Sequence, residues 1–253
     1  MLRPLTVFLI CLFASSPLRA AELTLAVASN FAAPVKELSA QYQALTGHRL
    51  KIAYGSSGKM YAQIVNGAPF DVFLSADQDK AQRLVASGHA MATSRRTYAQ
   101  GALVLWSAKP HYLDDGAERL RAGDFRKLAI ANPRLAPYGR AAEQALLRLG
   151  IEERVRSRLV IGENIAQAYQ FVYSGNADLG LVAASQIMSG DQRKGSSWPI
   201  PDNWHDPILQ DLVILNRAAD NAVALSWVDF LGSEQAREIL LQYGYRAPGG
   251  SSS

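Results

Sequence analysis

The chain has 253 residues, 49% of them hydrophobic and 19% charged, with a formal charge of +4. Without Arg3 and Arg19 of an expected leader, the 26 bases become 24 against 22 acids, and no basic run is interleaved with aromatics, so nucleic acid is excluded as an expected partner. The composition is that of an ordinary globular protein, and no apolar run beyond residue 22 reaches the about 18 residues that a membrane span needs.

Residues 1–21 read as a secretory signal peptide: Arg3, then the apolar run Leu5 to Ala14, then the small-residue ending "SSPLRAA", with cleavage expected after Ala20 or Ala21. Cys11 is the only cysteine and lies in that leader, behind Ile10, where a lipid-anchor signal calls for a small residue. No lipid anchor is expected, and the mature chain must be held by its core alone.

After the leader, "LTLAV" (23–27) has the continuous β-prone character of a strand covered on both faces. A helix follows with Pro34 in its first turn, Val35, Leu38, Tyr42 and Leu45 at helical spacing, and Gly47 at its end. "LKIAY" (50–54) and "DVFLSA" (71–76) are further strands, each leading into a helix. This β-α-β-α-β-α run predicts a parallel sheet with helices on both faces. "ALVLWS" (102–107) opens a second series, with strands at 128–132, in "RLVIGEN" and at 177–185, and helices in "GRAAEQALLRLG" and "IAQAYQFVYSG". A polar, proline-rich stretch (189–207), the strand-like "LQDLVILN" and the helical "SEQAREILLQYG" complete the chain before "APGGSSS" (247–253), which reads as a disordered tail. The expectation is an α/β molecule of two lobes with a cleft between them: residues 22–101 with 210–246, and residues 102–209.

Ligands of open α/β sheets bind where strands lead into helix N-termini, whose free N–H groups attract anions. Four such places stand out: Ser29-Asn30, Ser56-Ser57 in "YGSSGKM", Tyr138-Gly139 after Pro137, and Asn164-Ile165. Each is also explicable as a cap or turn. Their shared topological position sets them apart. Gly55 and Gly58 are read as clearing room for an ion. The spacing fails the P-loop pattern, since two residues separate these glycines and Met60 follows Lys59, itself read as a solvated helix-start lysine. Catalysis finds little support. No G-x-S-x-G or H-E-x-x-H occurs, and His48, His89, His111 and His205 are scattered and read as surface or satisfied residues. Asp71 and Asp77 are read as cap and turn residues, and Trp198 and Trp204 as packing residues with a lid role as the alternative.

Together, "AVASNFAAPVKEL", "YGSSGKMYAQIVNGAPFDVFLSAD", "NPRLAPYGRAAEQALLRLG" and "GENIAQAYQFVYSGNADLGLV" resemble the periplasmic molybdate-binding proteins of ABC importers, from about Leu23 to about Tyr243. The resemblance implies a two-lobed, type II-like periplasmic binding fold, each lobe a mostly parallel sheet flanked by helices. In it, neutral donors trap molybdate or tungstate and the protein delivers the ion to a membrane permease. Carried over, Ser29 and Ser57 donate hydroxyl and amide hydrogens, Asn30 is an added donor, and Tyr138 and Ile165 contribute backbone amides. The metal would be reached only through oxyanion oxygens. No cofactor, no enzymatic activity and a monomeric state are expected. In "LGLVAAS", Ala183 stands where many members of that family have a ligand tyrosine, a role that Tyr138 takes over in part in a subset of it. The alternatives are capture of sulfate, phosphate or a small organic anion on the same fold, and an exported hydrolase using Ser57 as nucleophile.

Overall fold

The computed structural model describes residues 21–188 and 195–248. The signal-peptide reading, apart from Ala21, and residues 249–253 of the expected tail lie outside the described residues.

The chain first lays down β1 (Glu22–Ala28), α1 (Ala32–Thr46), β2 (Arg49–Gly55), α2 (Ser57–Val65), β3 (Val72–Leu74), α3 (Gln78–Ala86) and β4 (Arg96–Gly101). It then crosses to β5 (Leu103–Ser107), α4 (Glu118–Ala122), β6 (Leu128–Ala131), α5 (Pro137–Arg148), α6 (Glu152–Val155), β7 (Leu159–Gly162), α7 (Ile165–Tyr173), β8 (Leu179–Ala183) and β9 (Ser196–Pro199). It returns through β10 (Ile208–Ile214) and closes with α8 (Ala222–Leu231) and α9 (Glu234–Gln242).

Two five-stranded sheets result, in the orders β2-β1-β3-β10-β4 and β7-β6-β8-β5-β9. In each, three strands pair in parallel and the fourth pairs antiparallel with both of its neighbours. Four of five strands therefore run one way, and the reversed one is β10 in the first sheet and β5 in the second. The expected two-lobed α/β architecture is the observed one.

Alternation along β1 explains how the first sheet is covered. Leu23, Leu25 and Val27 enter one core with Val35, Leu38 and Tyr42 of α1, Trp227 of α8 and Ile239 of α9. Ala26 turns to the other face, against Met60 and Ile64 of α2 and Leu84 of α3. Burying each such Leu or Val contributes about 1.5–3 kcal/mol. In the second sheet, Leu105, Ile130, Leu179 and Leu181 share a core with the small residues Ala141, Ala142 and Ala145 of α5 and with Val172 of α7. Ala28 and Ala76, from the ends of the first sheet, join that second core, so apolar packing continues across the cleft.

Besides the short helices α4 and α6, three further elements were not expected. β4, "RTYAQG", has little β character of its own and gains its place by pairing with β10, at a register shift between Gln210 and Asp211. β9, "SSWP", lies at a sheet edge, where a terminal proline is tolerated. α8, "AVALSWVDFL", is apolar on most sides and shows no stripe, but Asn221 caps it by accepting from the Val223 amide at 2.9 Å. Trp198 and Trp204 lie 5.5 Å apart, centroid to centroid, and both pack on the second core, as the packing reading had it.

Only Ala102 separates β4 from β5, and Gly101 pairs with Ile208, where the chain returns. The two passages between the sheets are thus neighbours, and the cleft opens away from them.

Candidate functional site

β1, β2, β6 and β7 hold equivalent places in the two sheets, and each ends at a helix start. Ser29 begins a 3-10 turn (Ser29–Phe31) after β1, Ser57 begins α2, Tyr138 is in the first turn of α5, and Ile165 begins α7. All four, with Asn30, line a single small cavity, together with Ala28, Gly55, Ser56, Ala76, Ala136 and Pro137. None of these lining residues is charged.

The local sequence sorts capping from pointing. Ser56 is the N-cap of α2, its Oγ accepting from the Lys59 amide at 3.3 Å. Ser57 is thereby left to the cavity. Its Oγ accepts from the Ala76 amide at 2.9 Å, which fills a lone pair and leaves the proton to be donated. Ser29 follows Ala28, which holds the cap position of that turn, and is 6% exposed. In α5, Pro137 has no N–H and the Gly139 and Arg140 amides return to the Ala136 carbonyl, which leaves the Tyr138 amide as the free donor of that turn. Asn164 caps α7 by accepting from the Gln167 amide at 3.1 Å, so the Ile165 amide stays in the open first turn.

Asn30 lines the cavity but its side chain is occupied otherwise than expected. Both amide hydrogens are taken, by Gln210 Oε1 and Tyr245 Oη, each at 2.9 Å. In this arrangement the side chain's hydrogens are directed to those two buried partners. The Asn30 partners lie far along the chain, and no local signal marks them.

The two glycines of "GSSG" also differ from expectation. A Cβ on Gly55 would meet Met60 Cε at 2.4 Å, and one on Gly58 would lie 3.0 Å from the Leu135 carbonyl oxygen. The space they clear is for a core methionine and for the opposing backbone, not for an ion. The Gly58 amide donates to that carbonyl across the cleft at 2.9 Å. Lys59 likewise is not merely solvated, since its Nζ reaches Glu163 of the facing lobe at 2.7 Å.

Asp77, one residue beyond Ala76, caps α3 as expected. It also holds Lys80 at 3.1 Å and, across the cleft, Arg140 at 2.8 Å, so its charge is matched on two sides. Asp71 accepts from the Thr24 amide at 2.7 Å. Among the histidines, His205 departs from the surface-or-satisfied reading: it is 9% exposed and its Nε2 has no partner. Ala183 ends β8, is fully buried in the second core and does not line the cavity. Tyr138 does line it, and burial pushes its hydroxyl well above the ordinary tyrosine range, so it stays protonated. A larger cavity, about 150 Å³ and bordered by Arg96, Arg237 and Arg246, lies by β4 and the α8–α9 turn and contains none of the expected residues.

No group of three or more His, Cys, Asp or Glu able to hold a metal ion occurs among the described residues, and no described helix is long and apolar enough to cross a membrane. What the cavity offers is a set of neutral hydrogen-bond donors at converging helix starts, an arrangement suited to an anion.

Residues 23–246 match the family model described as bacterial extracellular solute-binding protein. The chain is 49% identical over 228 residues to Molybdate-binding protein ModA of Azotobacter vinelandii, covering 90% of each. To the protein of the same name from Rhodobacter capsulatus it is 45% identical over 229 residues, again 90% of each. The solved structure of the Azotobacter vinelandii periplasmic molybdate-binding protein superposes with a TM-score of 0.86 at 41% identity, over 89% of this chain and 99% of that one. Matched by the family model over residues 23–246 and built of two mixed sheets, this chain belongs to the bacterial extracellular solute-binding protein family.

Proposed function

We propose that this protein captures molybdate, and with it tungstate, between its two lobes and delivers the ion to the membrane permease of an ABC importer. The observation that carries this reading is the lining of the cavity: Ser29, Asn30, Ser57 and the amides at Tyr138 and Ile165 converge with no charged side chain among them. The relatives described above, which are named for molybdate binding, support it. A dianion held this way meets donors only. Each hydrogen bond to a charged group is worth about 1.5–3 kcal/mol, and helix starts add about 0.3–1 kcal/mol each. Monohydrogen phosphate would bring a proton with no acceptor to receive it, which disfavours it against a fully deprotonated oxyanion.

The protein works as a monomer in the periplasm, exported by residues 1–21. Its lobes comprise residues 22–101 with 210–246, and residues 102–209. It has no resident cofactor and catalyses no reaction. Ser57 Oγ already accepts from the Ala76 amide, and no histidine, lysine or carboxylate lines the cavity to act as its base.

Thermal unfolding of the mature protein with millimolar molybdate, tungstate, sulfate and phosphate in parallel tests the reading. A ligand at 100 times its dissociation constant adds about 2.7 kcal/mol, an easily read shift. Large shifts with molybdate and tungstate and small ones with the other two are expected. Shifts with sulfate or phosphate alone would keep the fold and reject the specificity.

A further inference from the structure

Beneath the cavity runs a buried chain of hydrogen bonds in which each link has a direction. It starts at the backbone carbonyl of Asn30, which can only accept. Ser185 Oγ lies 2.7 Å from that oxygen and the Tyr245 hydroxyl 3.0 Å. Tyr245 Oη and Ser185 Oγ are 3.2 Å apart, so the Tyr245 proton is committed to one of these two oxygens. Tyr245 Oη accepts in turn from Asn30 Nδ2 at 2.9 Å. Asn30 Nδ2 also donates to Gln210 Oε1 at 2.9 Å, and the Tyr98 hydroxyl donates to the same oxygen at 3.0 Å.

With Oε1 fixed as an acceptor, Gln210 Nε2 is a donor, and it points to Tyr138 Oη at 3.3 Å. Reversing the Gln210 amide would set its N–H groups against those of Asn30. Reversing the Asn30 amide alone would set its oxygen against Gln210 Oε1.

The end of the chain is the Tyr138 hydroxyl, on a residue that lines the cavity and is 1% exposed. Its oxygen accepts from Gln210, the Asn30 side chain lies beside it, and none of the hydrogen bonds among the described residues is donated by its proton. The backbone makes room for this contact: a Cβ at Gly101 would lie 2.0 Å from Tyr138 Oη and 2.7 Å from Gln210 Nε2. Gln210 itself is fully buried in β10 and does not line the cavity.

We propose that Gln210 is a positioning residue for anion capture: by donating to Tyr138 Oη it holds that hydroxyl as a donor toward the cavity, and so keeps the site free of acceptors. This rests on the capture reading above. It assigns part of the discrimination against protonated oxyanions to a side chain that never touches the ion, on the strand by which the chain returns to the first lobe.

A double-mutant cycle read by calorimetric titration with molybdate tests it. Tyr138→Phe lowers affinity about tenfold in the wild-type background and less than about threefold in Gln210→Met, where the hydroxyl is no longer oriented. Ligand-free thermal unfolding checks that each variant folds, and Gln210→Glu carries the same cycle if the Met variant does not. Gln210→Glu also supplies a readout that a packing role would not move. A carboxylate at 210 draws the Tyr138 proton to itself and turns that oxygen into an acceptor, so affinity falls as pH rises through its titration while the wild type stays flat. Equal losses for Tyr138→Phe in both backgrounds, or a Gln210→Glu profile parallel to the wild type, would overturn the proposal. Failure of the wild type to bind molybdate overturns the capture reading, and this one with it; binding with an additive cycle overturns only the orienting role.

Discussion

Gly58 and Leu135 meet backbone to backbone across the cleft: the Gly58 amide donates to the Leu135 carbonyl at 2.9 Å, and a Cβ on Gly58 would stand 3.0 Å from that oxygen. Two lobes can approach this closely only where one of them presents no side chain. Replacing Gly58 with Val should therefore wedge the cleft while leaving both cores untouched. Ligand-free unfolding is expected to stay close to wild type, while molybdate affinity drops about tenfold or more, equivalent to about 1.4 kcal/mol. Calorimetry beside a ligand-free melt reads both. Unchanged affinity would show that this contact is not part of the bound state.

Ser29→Ala and Ser57→Ala each remove a donor to a charged ligand, worth about 1.5–3 kcal/mol, so each should weaken molybdate binding by one to two powers of ten. The two differ in what else they do. Ser57 Oγ accepts from the buried Ala76 amide at 2.9 Å, so its loss also lowers ligand-free stability, whereas Ser29 follows Ala28, which holds the cap position of its turn, and its loss should not. Titration together with denaturation separates the two serines.

Lys59–Glu163 and Arg140–Asp77 bridge the lobes at 2.7 and 2.8 Å, but both basic side chains are nearly half exposed. Such pairs contribute about 0–1 kcal/mol and are screened by salt. Lys59→Ala is expected to change molybdate affinity less than about fivefold, and the change should shrink between low and high sodium chloride. A large loss that salt does not touch would mean that Lys59 acts on the ion itself.

Burial pushes the hydroxyls of Tyr98, Tyr138 and Tyr245 well above their ordinary value of 10.0. In the unfolded chain these groups lose protons near pH 10, so above that pH the unfolded state binds fewer protons than the folded one, and stability falls as pH rises. Each tyrosine contributes a slope of up to about 1.4 kcal/mol per pH unit in that window and nothing below it. Urea denaturation between pH 9 and 11 should show this decline, shallower in Tyr98→Phe, which has one such group fewer.

Much of this protein was legible in the sequence because its signals are local. Leu23, Leu25 and Val27 announce a strand, Val35, Leu38 and Tyr42 a helix face, and small polar residues mark the four helix starts that the structure gathers around one cavity. Those features rest on period and capping, which a few neighbouring residues set. The segments that went unread, β4 and β9 above all, are strands only because a partner pairs with them.

Tertiary structure decided which atoms face the cavity. Ser56 and Ser57 are indistinguishable as letters, yet one caps α2 and the other accepts from Ala76 and keeps its proton for the cavity. Asn30 sits beside Ser29 in the sequence, but its amide hydrogens go to Gln210 and Tyr245, 180 and 215 residues away. The sequence by itself determined where the helices begin, because a cap is made within one turn. Which donors remain free was left to the fold, because a buried donor is held by whichever acceptor the distant chain brings within reach.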